Sequence, residues 1–238
     1  MSVYIYGKNP AKEILETDKL IIKAYFMDDT KSDLFLEVKR KQIPFETLSK
    51  KEFEKRFSGN TQGIVLEVED YKTVSLEEVM KDLDLSLNPF FIMLDGIEDP
   101  HNFGAIIRSA EAGGCSGIII PKNRSVKITG TVAKVSSGAI EYIKIIEVVN
   151  LNQTIEKLKK KSFWIIGTDV NSEKSYQDIF VDRPLCLVIG SEGKGLSKLV
   201  KEHVDFNVKI PMIGKINSLN ASVSAGILIF DILRRKTE

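Results

Sequence analysis

From Pro89 onward the chain repeats one pattern, a short apolar run that leads through a loop into a helical stretch, and few folds accept it. Apolar runs fall at 90–94, 117–120, 143–149, 163–170, 185–189 and 206–212. Helical periodicity falls at 102–113, within 127–139, at 151–161 behind an Asn150 cap, at 195–202, and after Asn220. Runs that are apolar at consecutive positions are buried on both faces, so the pattern predicts an α/β fold whose parallel sheet is covered by helices on both sides. Ligands of such sheets gather outside the carboxyl ends of the strands, where loops enter helix N-termini.

The first 72 residues read as a separate small α/β unit. Strands are expected at 3–7, 20–27, 44–48 and 63–68, with helices at 9–17 and 49–57, the second capped by Ser49. Residues 73–88 are expected to be a linker, with one short helix announced by the capping box Ser75–Glu78. The domain reading is therefore 1–72, a connection at 73–88, and 89–238. Net charge is +1, so any nucleic acid must be met by local patches, of which Lys39-Arg40-Lys41 and Lys50-Lys51 with Lys55-Arg56 are the nearest. The two histidines, His101 and His203, and the two cysteines, Cys115 and Cys186, lack metal-ligand spacing. No metal is expected, and the cysteines read as reduced core thiols of a cytoplasmic protein. The apolar runs are too short to span a bilayer and no leader opens the chain, so no membrane is expected among its partners.

Three strand-to-helix loops hold the candidate chemistry. Asp95 to Arg108 places Asn102 at a helix start and Arg108 within its first two turns. There Arg108 is either a solvated helix charge or a guanidinium aimed at a phosphate or a reacting hydroxyl. Gly190-Ser-Glu-Gly-Lys-Gly195 is glycine-rich without the spacing of a Walker loop or a dinucleotide fingerprint; its glycines permit close backbone approach to a ligand, with Glu192 at the tip. Lys209 to Ser224 interleaves Ile210, Met212 and Leu219 with Asn217, Ser218 and Asn220, a mixture suited to a ligand with a ring and polar edges. Taken alone, Ser218 and Asn220 are better explained as caps of the last helix.

Together and in this order, Asn102-Phe-Gly-Ala-Ile-Ile-Arg108, Gly190-Ser-Glu-Gly-Lys-Gly-Leu-Ser197 and Ile210-Pro-Met through Ser218-Leu-Asn220 resemble the three motifs of the SpoU (TrmH-like) branch of the SPOUT RNA methyltransferases. The leading unit, from Tyr6-Gly7-Lys-Asn-Pro to Thr61-Gln62-Gly63-Ile64, resembles the L30e-like substrate-binding domain of the 23S rRNA guanosine 2′-O-methyltransferase subgroup. One departure is Thr61, where subgroup members often carry His.

The resemblance implies a C-terminal SPOUT domain with a deep trefoil knot, S-adenosyl-L-methionine as methyl donor, a ribose 2′-hydroxyl as acceptor, RNA as partner, and a homodimer. It assigns the donor to Gly190, Ile210 and Leu219, with Gly167 and Thr168 beside them. Arg108 matches the catalytic arginine, and Asn102, Glu192, Ser218 and Asn220 its polar surroundings. Whether Arg108 takes a proton or clamps a phosphate stays open. So do a tRNA substrate, a role in antibiotic resistance, and a non-catalytic RNA-binding factor. The glycine spacing speaks against a dehydrogenase-like nucleotide binder.

Overall fold

The computed structural model describes residues 2–28, 32–123, 125–216 and 218–238. Asn217, one of the expected site amides, lies outside the described residues. The chain forms two compact units, one from Met1–Lys72 with Ile128–Tyr142 and one from Thr73–Lys127 with Ile143–Glu238.

In the first unit, β1 (Ser2–Tyr6), α1 (Lys8–Leu15), β2 (Ile21–Met27), α2 (Asp33–Arg40), β3 (Phe45–Leu48), α3 (Lys50–Arg56) and β4 (Ile64–Glu69) follow in chain order. The sheet runs β1-β4-β2-β3, antiparallel except for the β2–β3 pair. Ile5, Ile14, Leu15, Phe26, Phe53, Ile64 and Leu66 fill its core. Helix α3 begins at a capping box: Ser49 Oγ accepts the Glu52 N–H (3.4 Å) and Glu52 accepts the Ser49 N–H (3.1 Å). The two ends of the leading motif meet, because the Gly7 N–H donates to the Ile64 carbonyl (3.3 Å) and the Lys8 N–H to Gln62 Oε1 (2.7 Å). Gly7 has φ +104°, which a side chain resists.

The second unit opens with α4 (Leu76–Lys81), followed by β5 (Phe90–Asp95), α5 (Pro100–Ala112) and β6 (Gly117–Pro121). The expected linker is packed structure instead. Val74 bridges to β-sheet backbone at Ile146, and Leu76 and Val79 are buried in the same core as Phe91, Ile119 and Ile146. These apolar side chains, not the short helix alone, make the stretch a wall of the second unit.

After β6 comes α6 (Gly130–Val135), expected within the second domain but part of the first unit. Gly130 lies so close to β1 that a Cβ there would sit 2.1 Å from the Tyr4 carbonyl oxygen. Further along the same segment, Glu141 accepts the Tyr71 hydroxyl (2.7 Å), and the Lys19 ammonium lies 3.3 Å from the Tyr71 ring centroid. Burial lowers the Lys19 pKa, against the pull of the Glu141 carboxylate, and raises that of Tyr71.

The chain then forms β7 (Ile145–Val148), α7 (Leu151–Lys159), β8 (Trp164–Thr168), β9 (Leu185–Gly190), α8 (Lys198–His203), β10 (Phe206–Val208) and α9 (Ala221–Thr237). Asn150 caps α7 as expected, accepting the Gln153 N–H at 3.1 Å. All six strands are parallel, in the order β10-β8-β9-β5-β6-β7. From β5 the chain proceeds toward β6, whereas from β9 it proceeds toward β10, on the opposite side. Their carboxyl ends therefore flank a topological switch point, where an open α/β sheet leaves a crevice. Among the described residues, no helix is long and apolar enough to cross a membrane.

Candidate active site

Three loops meet at that crevice. The loop after β9 closes on itself: the Ser191 N–H donates to the Gly195 carbonyl (3.2 Å) and the Gly195 N–H to that of Ser191 (2.9 Å). Gly193 and Gly195 take φ +78° and +65°, which ends any helix before Gly195 and makes α8 start at Lys198, later than its periodicity suggests. Gly190 is glycine for a different reason from ligand approach. A Cβ there would lie 2.3 Å from the Gly195 carbonyl carbon, so the loop's own backbone occupies the space. Asp95, at the end of β5, accepts the Ser197 N–H (2.6 Å) and ties the loop to the neighbouring strand.

At the tip of this loop, Glu192 Oε1 gathers three donors: Asn102 Nδ2 (3.0 Å), Asn220 Nδ2, and the Ala221 N–H (3.3 Å). Asn220 is also the N-cap of α9, its Oδ1 accepting from the Ser222 and Val223 N–H groups at 2.9 and 3.3 Å. The cap and the contacts to the other two loops fix each other. With Oδ1 turned to the helix backbone, Nδ2 faces Asn102 Oδ1 (2.8 Å) and Glu192. The carboxylate also sits at the positive end of α9. Asn102 is the third residue of α5, capped by Asp99 with Pro100 at the first position. Arg108 lies on the same helix, exposed, beyond the buried Phe103, Ile106 and Ile107.

Behind this network is a cavity of about 410 Å³, within the range of small-molecule sites. Its apolar lining includes Ile189, Val208, Ile210, Leu219 and Leu228, and its polar lining Thr168, Asp169, Glu192 and Ser218. Of the residues assigned to the donor, Gly190, Ile210, Leu219 and Thr168 line it. Gly167 sits behind the lining, where a Cβ would meet Asn207 Oδ1 at 2.2 Å and Leu196 at 2.8 Å. The expected strand 206–212 stops at Val208, and the rest approaches the cavity as irregular chain containing Pro211. Neither cysteine enters: Cys186 is buried within β9, and burial pushes the Cys115 thiol up to about 12.

Sequence patterns did not single out Asp169, which follows β8 directly and forms an ion pair with Lys201 of α8 across the cavity wall. Burial pushes its carboxyl upward, but hydrogen bonds from Lys201 and the Asn171 N–H outweigh this and hold it below the usual carboxylate range. Its signal was available, an acid immediately behind an apolar strand.

Residues 89–230 match the SpoU rRNA Methylase family, and residues 4–74 match the family described as RNA 2′-O ribose methyltransferase substrate binding. The chain belongs to the SpoU rRNA methylase family. It is an RNA methyltransferase of the SpoU/TrmH type.

YacO of Bacillus subtilis (strain 168), named for the TrmH family of tRNA/rRNA methyltransferases, is 41% identical to this SpoU chain over 238 residues, covering 98% of it and 96% of YacO. Among solved structures, the SpoU methyltransferase AviRb from Streptomyces viridochromogenes, in complex with AdoMet, superposes with TM-score 0.84. That match has 20% identity and covers 99% of this chain and 91% of AviRb. The AdoMet-bound rRNA methyltransferase from Sinorhizobium meliloti superposes with TM-score 0.78 at 20% identity, over 98% of this chain and 87% of that one. These likenesses extend through both units of the SpoU chain, so the α/β fold with its parallel sheet is that of the SpoU methyltransferases.

Proposed function

We propose that this protein methylates the ribose 2′-hydroxyl of a guanosine in 23S rRNA, with S-adenosyl-L-methionine as donor. The observation that carries the reading is the joining of Asn102, Glu192 and Asn220, from three segments remote in sequence, at the rim of one cavity of mixed polarity. The cavity suits the donor: Val208, Ile210 and Leu219 offer an apolar slot for a purine, and Thr168 and Ser218 offer polar partners at its rim. When bound there, the donor supplies an electrophilic methyl group.

The residues of the chain then have to orient the acceptor and manage its proton. A guanidinium stays protonated in proteins, so Arg108 acts as a clamp on the neighbouring phosphate and stabilises charge developing on the ribose oxygen. Glu192, held by its three donors, fixes Asn102 and Asn220 and thereby the edge of the acceptor site. Recognition of the RNA falls to the first unit. There Lys50, Lys51 and Lys55 are exposed on α3, while Arg40 and Arg56 pair with Glu37 and Glu46. Only RNA has the 2′-hydroxyl, and an unpaired nucleotide is the accessible kind.

Incubation with labelled donor and separated unmodified 23S rRNA, 16S rRNA and tRNA is expected to label 23S rRNA at a ribose oxygen. Label in tRNA alone would move the substrate to that class, and label in none would leave a non-catalytic RNA-binding factor.

The homodimer and the trefoil knot belong to the same proposal, as does a cytoplasmic location. Support for the dimer comes from α9. Its inner face buries Ala225, Leu228, Ile229 and Ile232, while Val223, Ile227 and Phe230 form an exposed apolar stripe at helical spacing on the other side. A helix apolar on both faces calls for cover on both. Sedimentation should give a dimer for the native protein and a monomer for Ile227→Glu/Phe230→Glu; a native monomer at micromolar concentration would contradict it. The knot is supported by the return of the chain from β10, beyond β8, to α9 packed beside α5 and β9.

A further inference from the structure

The donor reading leaves one charged feature of the cavity without a task, the Asp169–Lys201 pair. Asp169 is the first residue after β8, and the sheet order places β9 between β8 and β5. The acceptor residues Asn102 and Arg108 follow β5, so Asp169 stands on the opposite wall from the methyl-accepting side. A donor whose methyl group points toward Arg108 turns its adenosine toward Asp169. If the apolar lining residues Val208, Ile210 and Leu219 take the base, the ribose would face the carboxylate.

Resting on that reading, we propose that Asp169 is a specificity-determining residue that accepts hydrogen bonds from the vicinal hydroxyls of the donor's own ribose. Its side chain is 14% exposed, whereas that of Lys201 is 49% exposed, so the carboxylate is the inward member of the pair. Oδ1 accepts the Asn171 N–H (3.0 Å) and Oδ2 takes Lys201, which uses two of roughly four lone-pair positions and leaves acceptor capacity for two hydroxyls. Lys201 and the Asn171 N–H hold the carboxylate ionised and oriented before any ligand arrives, so little reorganisation accompanies binding. An acid at the carboxyl end of a strand has the same use in other α/β nucleotide sites.

The test is calorimetric titration with S-adenosylhomocysteine and with its 2′,3′-dideoxyribose analogue. Asp169→Ala is expected to weaken S-adenosylhomocysteine about 10–100-fold, the size of lost hydrogen bonds to a charged group. Asp169→Asn, which keeps the shape and one acceptor, is expected to lose less, about 3–10-fold. The dideoxy analogue should bind native protein and both variants alike. Equal weakening of both ligands by Asp169→Ala, or no weakening of either, would overturn the ribose contact while the donor reading stood. Native protein that bound neither ligand would instead overturn the donor reading itself.

Discussion

Arg108→Ala is expected to lower single-turnover methyl transfer by about 10³-fold or more, while donor affinity changes by less than about twofold. On the proposed role, the size is that of removing a cation that stabilises charge developing in the transition state. The split follows from position. Arg108 is exposed on α5 and does not line the cavity, so alanine neither opens the core nor touches the donor. Alanine is also a good helix former, so α5 should persist with Phe103, Ile106, Ile107 and Ala110 still buried. Arg108→Lys keeps the charge but not the planar fork and should recover part of the rate. Transfer by the alanine variant at the native rate would remove Arg108 from the mechanism, and a parallel loss of donor binding would make its role structural.

Gly190→Ala should act the other way, by damaging donor binding and stability together. The added methyl group would meet the Gly195 carbonyl carbon at 2.3 Å and the Gly195 oxygen and Leu196 nitrogen at 2.5 Å. All three are backbone atoms, so no side chain can swing aside. Relief requires opening the Ser191–Gly195 turn, which carries Glu192 away from Asn102 and Asn220 and strains the Asp95 bond to the Ser197 N–H. A cost of about 1–3 kcal/mol is expected, together with donor affinity lower by at least about tenfold. Thermal unfolding and calorimetric titration measure the two effects, and a variant with native values in both would show that the turn adapts freely.

Much of the second unit was legible because its central strands are nearly continuous apolar runs, buried along almost their whole length. The order of the six strands was not, since each pairing joins residues remote in sequence. The Ser75–Glu78 capping box announced α4 correctly, yet nothing local showed that Leu76 and Val79 would be buried against β6 and β7 side chains. A helical stretch was expected within 127–139, and α6 is that helix, but its packing beside β1 depends on Gly130 meeting a carbonyl more than a hundred residues earlier. Within the site, Asn220 could be weighed only as cap or functional amide. In the fold its Oδ1 caps α9 while its Nδ2 reaches Asn102 and Glu192, a division that only the tertiary pairing makes visible. Asp169 was passed over because a single acid behind a strand is common, and only Lys201 and the cavity give it meaning.

The two-piece construction of the first unit has a consequence for biosynthesis. Chains commonly fold domain by domain as they leave the ribosome, N-terminal part first. Here the first 72 residues emerge without α6 beside β1 and without Glu141, the partner of Tyr71 and Lys19. Closure of that unit must wait until residue 142 has been made, by which time β5, α5 and β6 of the other unit are already in existence. The early intermediate is thus a sheet with one flank uncovered, and a gene fusion or domain exchange cut at residue 72 would make that intermediate permanent.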